Sequence, residues 1–292
     1  MLSILLLSAM SSILAVVIVS YMTIRMIQND GIKESMQIYL EQITREMDSD
    51  YYDMIGIVNQ MSPDGLIGSA TERYLSSNDN YDRYLEQKFL REELIKLGYV
   101  NTKLLGITYY DPKEQKELIG NFNVRVLDPT YQTISKVVVG ADNTIQAMHD
   151  SYLGIKETPV VSVMRRVSFG NQKMLDIYAE IEPDMSVSDQ LNKEKWPYTY
   201  MEMDENGIVQ YSNNPVIVRG QKILSELPKK EGYAVTNQEG YKIMVYRSTI
   251  GYANAIALPE NIYQKEMNMW RLKLVVIILA TFGTVSYTHL RA

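Results

Sequence analysis

Tyr198-Thr199-Tyr200-Met201-Glu202-Met203, then Asp204-Glu205-Asn206-Gly207, then Ile208-Val209-Gln210-Tyr211-Ser212 reads as strand, turn and returning strand. Asn-Gly supplies the positive φ angles that a tight strand connection needs, so the stretch predicts a β-hairpin. Residues 233–236, a turn at Asn237-Gln238-Glu239-Gly240, residues 241–247 and residues 253–258 complete an antiparallel sheet, which Pro259 ends.

An earlier part of the chain follows the same plan. Residues 105–110 lead into a turn at Asp111-Pro112-Lys113 and return through 117–121. Residues 160–164 and 166–169 come next, and Gly170-Asn171-Gln172 turns the chain into 174–181. Between these strands, residues 128–156 are polar, tyrosine-bearing and only weakly periodic, which predicts helices and loops covering one sheet face.

Upstream of both sheets the period changes from two to about 3.6. Ile32, Met36, Tyr39, Ile43, Met47, Tyr51, Met54, Val58 and Met61 recur three or four residues apart and draw one apolar stripe along a helix. Ser62-Pro63-Asp64-Gly65 ends it, since proline removes a donor and glycine permits the turn. About 35 helical residues reach roughly 50 Å, further than one small module is thick, so the first sheet module is expected to sit beyond the second. The stripe predicts packing against the chain's own modules and pairing with a second copy. A second helix is predicted over 79–97, with Tyr81, Tyr84, Leu85, Phe89, Ile95 and Leu97 as its apolar contacts. Asp48, Asp50 and Asp53 lack the spaced oxygens of a calcium loop and are read as a solvated face.

The ends carry a different signal. Residues 2–24 hold no charged side chain before Arg25, enough to cross a hydrocarbon core that needs roughly 20 apolar residues. No basic region precedes the run and no small-x-small site follows Val19, so an uncleaved anchor is expected rather than a signal peptide. Trp270, Arg271 and Lys273 precede a second apolar run, 274–285, too short to span alone. Residues 286–292 break the pattern and resemble translated adapter sequence.

Composition narrows the function. A net charge of −6 with interspersed signs offers no basic face for a phosphate backbone, so nucleic acid is not an expected partner. Absence of cysteine removes disulfides, thiol nucleophiles and Cys-based zinc sites. With 22 tyrosines, 17 methionines and 4 phenylalanines, the interior is expected to use amphipathic rings and thioethers. Phosphate-loop, dinucleotide and nucleophile-elbow motifs are absent, so no catalytic residue, cofactor or metal ligand is assigned.

Candidate ligand contacts come from the first module. Arg165 and Arg166 are strand neighbours, so one of them points to the face that helices and loops cover, where a guanidinium wants a carboxylate or phosphate from ligand or protein. Tyr110, Tyr131, Tyr152 and Tyr178 offer a stacking face and a hydroxyl each for the same concavity, with core packing as the alternative. His149, the only histidine outside the tail, completes the set.

The order of anchor, stalk helix, two sheet modules and second anchor resembles the double-Cache (dCache) sensor region of bacterial transmembrane receptors. The resemblance is carried by Ile107-Thr108-Tyr109-Tyr110-Asp111-Pro112, Leu118-Ile119-Gly120-Asn121, residues 173–181 and residues 203–212. The chain most resembles the sensor half of YesM-type histidine kinases. That implies an α+β fold with two PAS-like antiparallel modules: residues 1–24 transmembrane, 25–98 stalk and helical segment, 99–191 the membrane-distal module and 192–262 the membrane-proximal one. Residues 263–285 then form an exit helix and partial second span, and 286–292 an unrelated tail. It further implies a location in the cell membrane with residues 25–271 outside, a homodimer, contact with membrane lipid, and a small-molecule ligand or solute-binding protein as partner. The amino-acid signature of some dCache sensors includes a distal tryptophan, which this chain lacks. A chemoreceptor, a membrane-bound AraC-like regulator, an anchored enzyme and a structural subunit are the alternatives.

Overall fold

The computed structural model describes residues 2–121, 142–153, 159–170, 173–184, 191, 197–204, 206–217, 219–224, 227, 232–238, 240–248, 250 and 252–291. It begins with α1 (Leu2–Met61), α2 (Leu66–Ser76) and α3 (Asn80–Val100). The first sheet consists of β1 (Leu104–Asp111), β2 (Lys116–Asn121), β3 (Thr144–Asp150), β4 (Pro159–Phe169) and β5 (Lys173–Ile181). The second consists of β6 (Thr199–Met203), β7 (Val209–Ser212), β8 (Gly232–Gln238), β9 (Tyr241–Arg247) and β10 (Ala253–Pro259), after which α4 (Glu260–Arg291) leaves. Strand order is β2-β1-β5-β4-β3 in the first sheet and β7-β6-β10-β9-β8 in the second, so both are built on one antiparallel plan.

The apolar stripe explains how α1 holds both sheets. Ile32, Met36, Leu40, Ile43, Met47, Tyr51, Met54, Val58 and Met61 are all buried. One apolar cluster joins them to Ile107, Tyr109, Val161, Val163, Ile177 and Ala179 of the first sheet and to Tyr200, Met244, Ile256 and Leu258 of the second. Contacts follow the helix in order. Lys242 bonds Asn29, Asn254 bonds Thr44, and Ser248 and Tyr252 bond Asp48, all from the second sheet. Beyond them Tyr51 reaches β3, Arg165 reaches Asn59, and the Tyr109 hydroxyl donates to the Met61 carbonyl. The first sheet therefore lies farther from the apolar end of α1 than the second. A 60-residue helix, about 90 Å long, is the shared beam.

Several local expectations change. Residues 66–76, inside the segment expected to be stalk and helical, form a short separate helix that buries Ile67, Ala70 and Thr71 on one side. Residues 160–169 form one strand rather than two. The segment expected as helix and loop contains β3, whose register shifts between Gln146 and His149, breaking the alternation that marks a strand. Asp79 lies outside α3 and caps it, its Oδ1 accepting from Tyr81 and Asp82 N–H groups at 2.6 and 3.2 Å. The inner face of α3 is Leu90 and Leu94, while Tyr81, Tyr84 and Leu85 are exposed. Among the described residues of the 204–207 turn Gly207 alone takes a positive φ, 77°, and the Asp204 carboxylate receives the Asn206 and Ile208 N–H groups. Of the acidic trio only Asp53 is exposed as a solvated face would be; Asp50 is buried against Lys103 and Asp48 accepts two bonds from the second module.

Among the described residues, α1 is the one helix long and apolar enough to cross a membrane, with a window of mean hydropathy 1.5 that is not buried by the protein.

Candidate functional site

The two sheets share a strand order but differ on the face turned away from α1. In the second sheet that face is apolar: Met201, Met203, Val209, Ile243, Val245, Ala253, Ala255 and Ala257 pack with Ile217, Ile223 and Leu224. In the first sheet the same face is polar, and still buried. Strand parity sends Val161, Val163, Leu175, Ile177 and Ala179 to the α1 side, leaving Ser162, Met164, Arg166, Asp176, Tyr178 and Glu180 on the other.

Register orders these groups in rows across the central strand β5. Asp176 lies between Tyr110 of β1 and Arg166 of β4; Tyr178 lies between Thr108 and Met164; Glu180 pairs with Ser162. Arg166 grips Asp176 with Nε to Oδ1 at 2.7 Å and Nη2 to Oδ2 at 3.0 Å, and Asp176 is fully buried. The carboxylate holds the guanidinium pKa above its ordinary value. Burial pushes the Tyr110 hydroxyl pKa up, and Asp176 and Asp111 add to it. At the edge, Lys173 pairs with Asp111 at 3.0 Å, and Asp111 also caps the β1–β2 turn through the Lys113 and Glu114 N–H groups.

The next rows hold aromatic rings around a second carboxylate. Glu180 receives the Tyr178 hydroxyl at 2.6 Å and the Ser151 hydroxyl at 2.6 Å, together with the backbone N–H groups of Leu153 and Tyr152. Burial raises its pKa despite these donors. Tyr152 stacks on His149 with centroids 4.2 Å apart and approaches Tyr178 at 6.1 Å. His149 Nδ1 lies 2.6 Å from the Asp150 carbonyl, which only accepts, so Nδ1 carries the proton and Nε2 accepts from the Ser162 hydroxyl at 2.7 Å. Burial lowers the imidazole pKa to about 4. A base that weak is poorly matched to deprotonating serine near neutral pH, so the pair fixes geometry and is not a poised nucleophile. Among the described residues no group of three or more His, Cys, Asp or Glu side chains could hold a metal ion.

Five of the seven candidates thus meet on one face: Tyr110, His149, Tyr152, Arg166 and Tyr178. Arg165 does not; its Nη1 donates to Asn59 Oδ1 at 3.1 Å and to Ser62 Oγ at 3.3 Å on the α1 side. Tyr131 lies outside the described residues. Sequence reasoning missed Asp176 and Glu180, although Asp176, Tyr178 and Glu180 alternate with Leu175, Ile177 and Ala179 along β5.

A second polar cluster, also unforeseen, joins the two modules. Glu202 of β6 is fully buried; its Oε2 accepts the Met148 N–H of β3 at 2.9 Å, and its Oε1 lies 3.2 Å from the Tyr51 hydroxyl of α1. Burial raises its pKa to about 7. The Tyr51 hydroxyl lies equally 3.2 Å from the Gln146 carbonyl. Arg219 adds an exposed bridge from the second module to Asp150 of the first, at 3.1 Å.

No protein-family model and no curated protein sequence matches this chain. Solved structures do. The ligand-binding domain of Mlp24, determined with asparagine, is 13% identical, and the match covers 84% of this chain and 98% of that one with a TM-score of 0.55. The extracellular domain of rpHK1S-Z16, a candidate histidine kinase, is 14% identical over 80% of this chain and 97% of that one with a TM-score of 0.52. At such identities the likeness establishes the fold: a long N-terminal helix beside two antiparallel five-stranded sheets, as in Cache sensor domains.

Proposed function

We propose that this chain is the sensing region of a bacterial membrane receptor, anchored through α1 and α4, that binds a small polar molecule on the outer face of its first sheet. One observation carries the reading: of two sheets built on one plan, only the first lines its outer face with Arg166, Asp176, Tyr178, Glu180 and His149 rather than with aliphatic side chains. A buried ion pair adds little stability over an apolar face of the same volume, and ligand pockets hold a few convergent polar groups, so a polar outer face on this sheet suits recognition. The fold likeness to a ligand-binding domain solved with asparagine supports a small ligand carrying both charge signs, which paired groups such as Arg166 and Asp176 suit.

The motifs at 107–112, 118–121 and 203–212 favour a YesM-type sensor histidine kinase as the parent. The fold serves a chemoreceptor equally, and the output domain of the parent receptor distinguishes them. In either parent, binding acts by favouring one arrangement of the modules, and α4, which follows β10 without a break, carries the displacement inward.

The test is a thermal-shift screen of the whole chain in lipid nanodiscs against small polar metabolites. A ligand at 100 times its Kd stabilises by about 2.7 kcal/mol, enough to read as a melting shift. The shift is expected to vanish in the Arg166→Met/Asp176→Asn variant. An undiminished shift in that variant means that the ligand binds elsewhere.

A further inference from the structure

A cavity of about 720 Å³ lies between α1 and α4 beneath the second sheet, and the site described above does not use it. Among the described residues its walls carry three cations, Arg25, Lys242 and Arg271, against one carboxylate, Glu260. Their heights are set by the sequence. Arg25 is the first charge after the apolar run 2–24, and Arg271 lies three positions before the apolar run 274–285, so both guanidinium groups mark where the helices leave apolar surroundings. Tyr21 ties the helices together there, accepting from Arg271 Nε at 2.8 Å with the guanidinium 5.3 Å from the ring centre.

Lys242 enters from the opposite side. It extends from β9 to Asn29 Oδ1, and its ammonium pKa is held below the ordinary value by burial, then by Lys33, against a smaller opposing pull from Asp30. Among the described residues the cavity is therefore short of negative charge. We infer that it binds the phosphate-bearing headgroup of an anionic glycerophospholipid, with Arg25, Arg271 and Lys242 around the phosphate and the acyl chains leaving along the apolar parts of α1 and α4. This rests on the proposed anchoring of both helices. Basic side chains at a membrane surface attract anionic headgroups by roughly fivefold in affinity each, and long cationic side chains at helix ends reach headgroup level naturally.

The whole chain, purified in mild detergent, is titrated with phosphatidylglycerol and separately with phosphatidylcholine, and retained lipid is counted by native mass spectrometry. Phosphatidylglycerol should be retained at least tenfold better, and Arg25→Gln/Lys242→Gln should lose roughly twenty-five-fold of that affinity. Equal retention of the two lipids, or a variant that keeps the preference, overturns the inference. So does glycerol 3-phosphate displacing phosphatidylglycerol at equal concentration, since the site would then be one for a soluble anion. Flotation of the same proteins with phosphatidylcholine vesicles reports anchoring separately: flotation without lipid preference removes the lipid site alone, whereas failure to float removes the anchored reading beneath it.

Discussion

Glu202→Gln is expected to raise the unfolding free energy by about 3 kcal/mol at pH 8 and to leave it nearly unchanged at pH 4. The carboxyl is fully buried and its pKa rises to about 7, so the folded protein keeps a proton that the unfolded chain releases near pH 4.5. Its contribution to stability is thus complete below pH 4.5 and lost as pH rises through 7. Hydrogen bonding gives the atomic reason. One Tyr51 hydroxyl proton serves two acceptors, Gln146 O and Glu202 Oε1. Protonated Glu202 donates to Tyr51, which is then free to donate to Gln146; ionised Glu202 takes the proton and breaks that relay. Glutamine's NH₂ restores the donor at every pH.

His149 acts with opposite sign. Its pKa falls to about 4 on folding, so its contribution is complete above pH 6.5 and lost as pH falls through 4. Between pH 4.5 and 6.5 the two groups offset each other. Urea unfolding of wild type and Glu202→Gln at half-unit pH steps therefore gives a difference that grows from pH 4.5 and levels above pH 7; a constant difference contradicts the assignment.

Arg166→Met is expected to cost about 3 kcal/mol, because it leaves the fully buried Asp176 carboxylate without its bidentate partner. Adding Asp176→Asn removes the stranded charge, so the double variant is expected to recover roughly 2 kcal/mol of that loss. Guanidinium is unsuitable as denaturant here, since its salt screens the pair; urea melts of the two single variants and the double variant complete the cycle. Additive losses would mean that the pair is not coupled, and Asp176 would then owe its burial to other donors.

How much of this was legible follows from which forces are local. The α1 stripe from Ile32 to Met61 showed because a helix repeats its buried face every turn, and all of its members except Tyr39 are buried. The ten strands differ more. Those with clean alternation or strong turn chemistry, β1, β2 and β5 to β10, were readable to within two residues, while β4 was read as two strands and β3 was lost to its register shift. At the site, parity required Arg165 and Arg166 to point oppositely, yet which one met the polar face depended on where α1 docked. Asp176 and Glu180 alternate as residues on a water-facing strand also do, and only tertiary burial separates the two cases. Glu202 gave no signal, since its partners Tyr51 and Met148 lie 151 and 54 residues away in the chain.

Met164 offers the most direct examination of the central claim, that the outer face of the first sheet receives the ligand. Its buried side chain sits on that face opposite Tyr178, whereas Met201 and Met203 occupy the corresponding face of the second sheet. With ¹³C-methyl methionine and a compound that shifts the melting temperature, the Met164 methyl resonance is expected to move on titration while those of Met201 and Met203 stay. Movement of Met201 and Met203 with Met164 fixed would place the ligand in the second module and contradict the account.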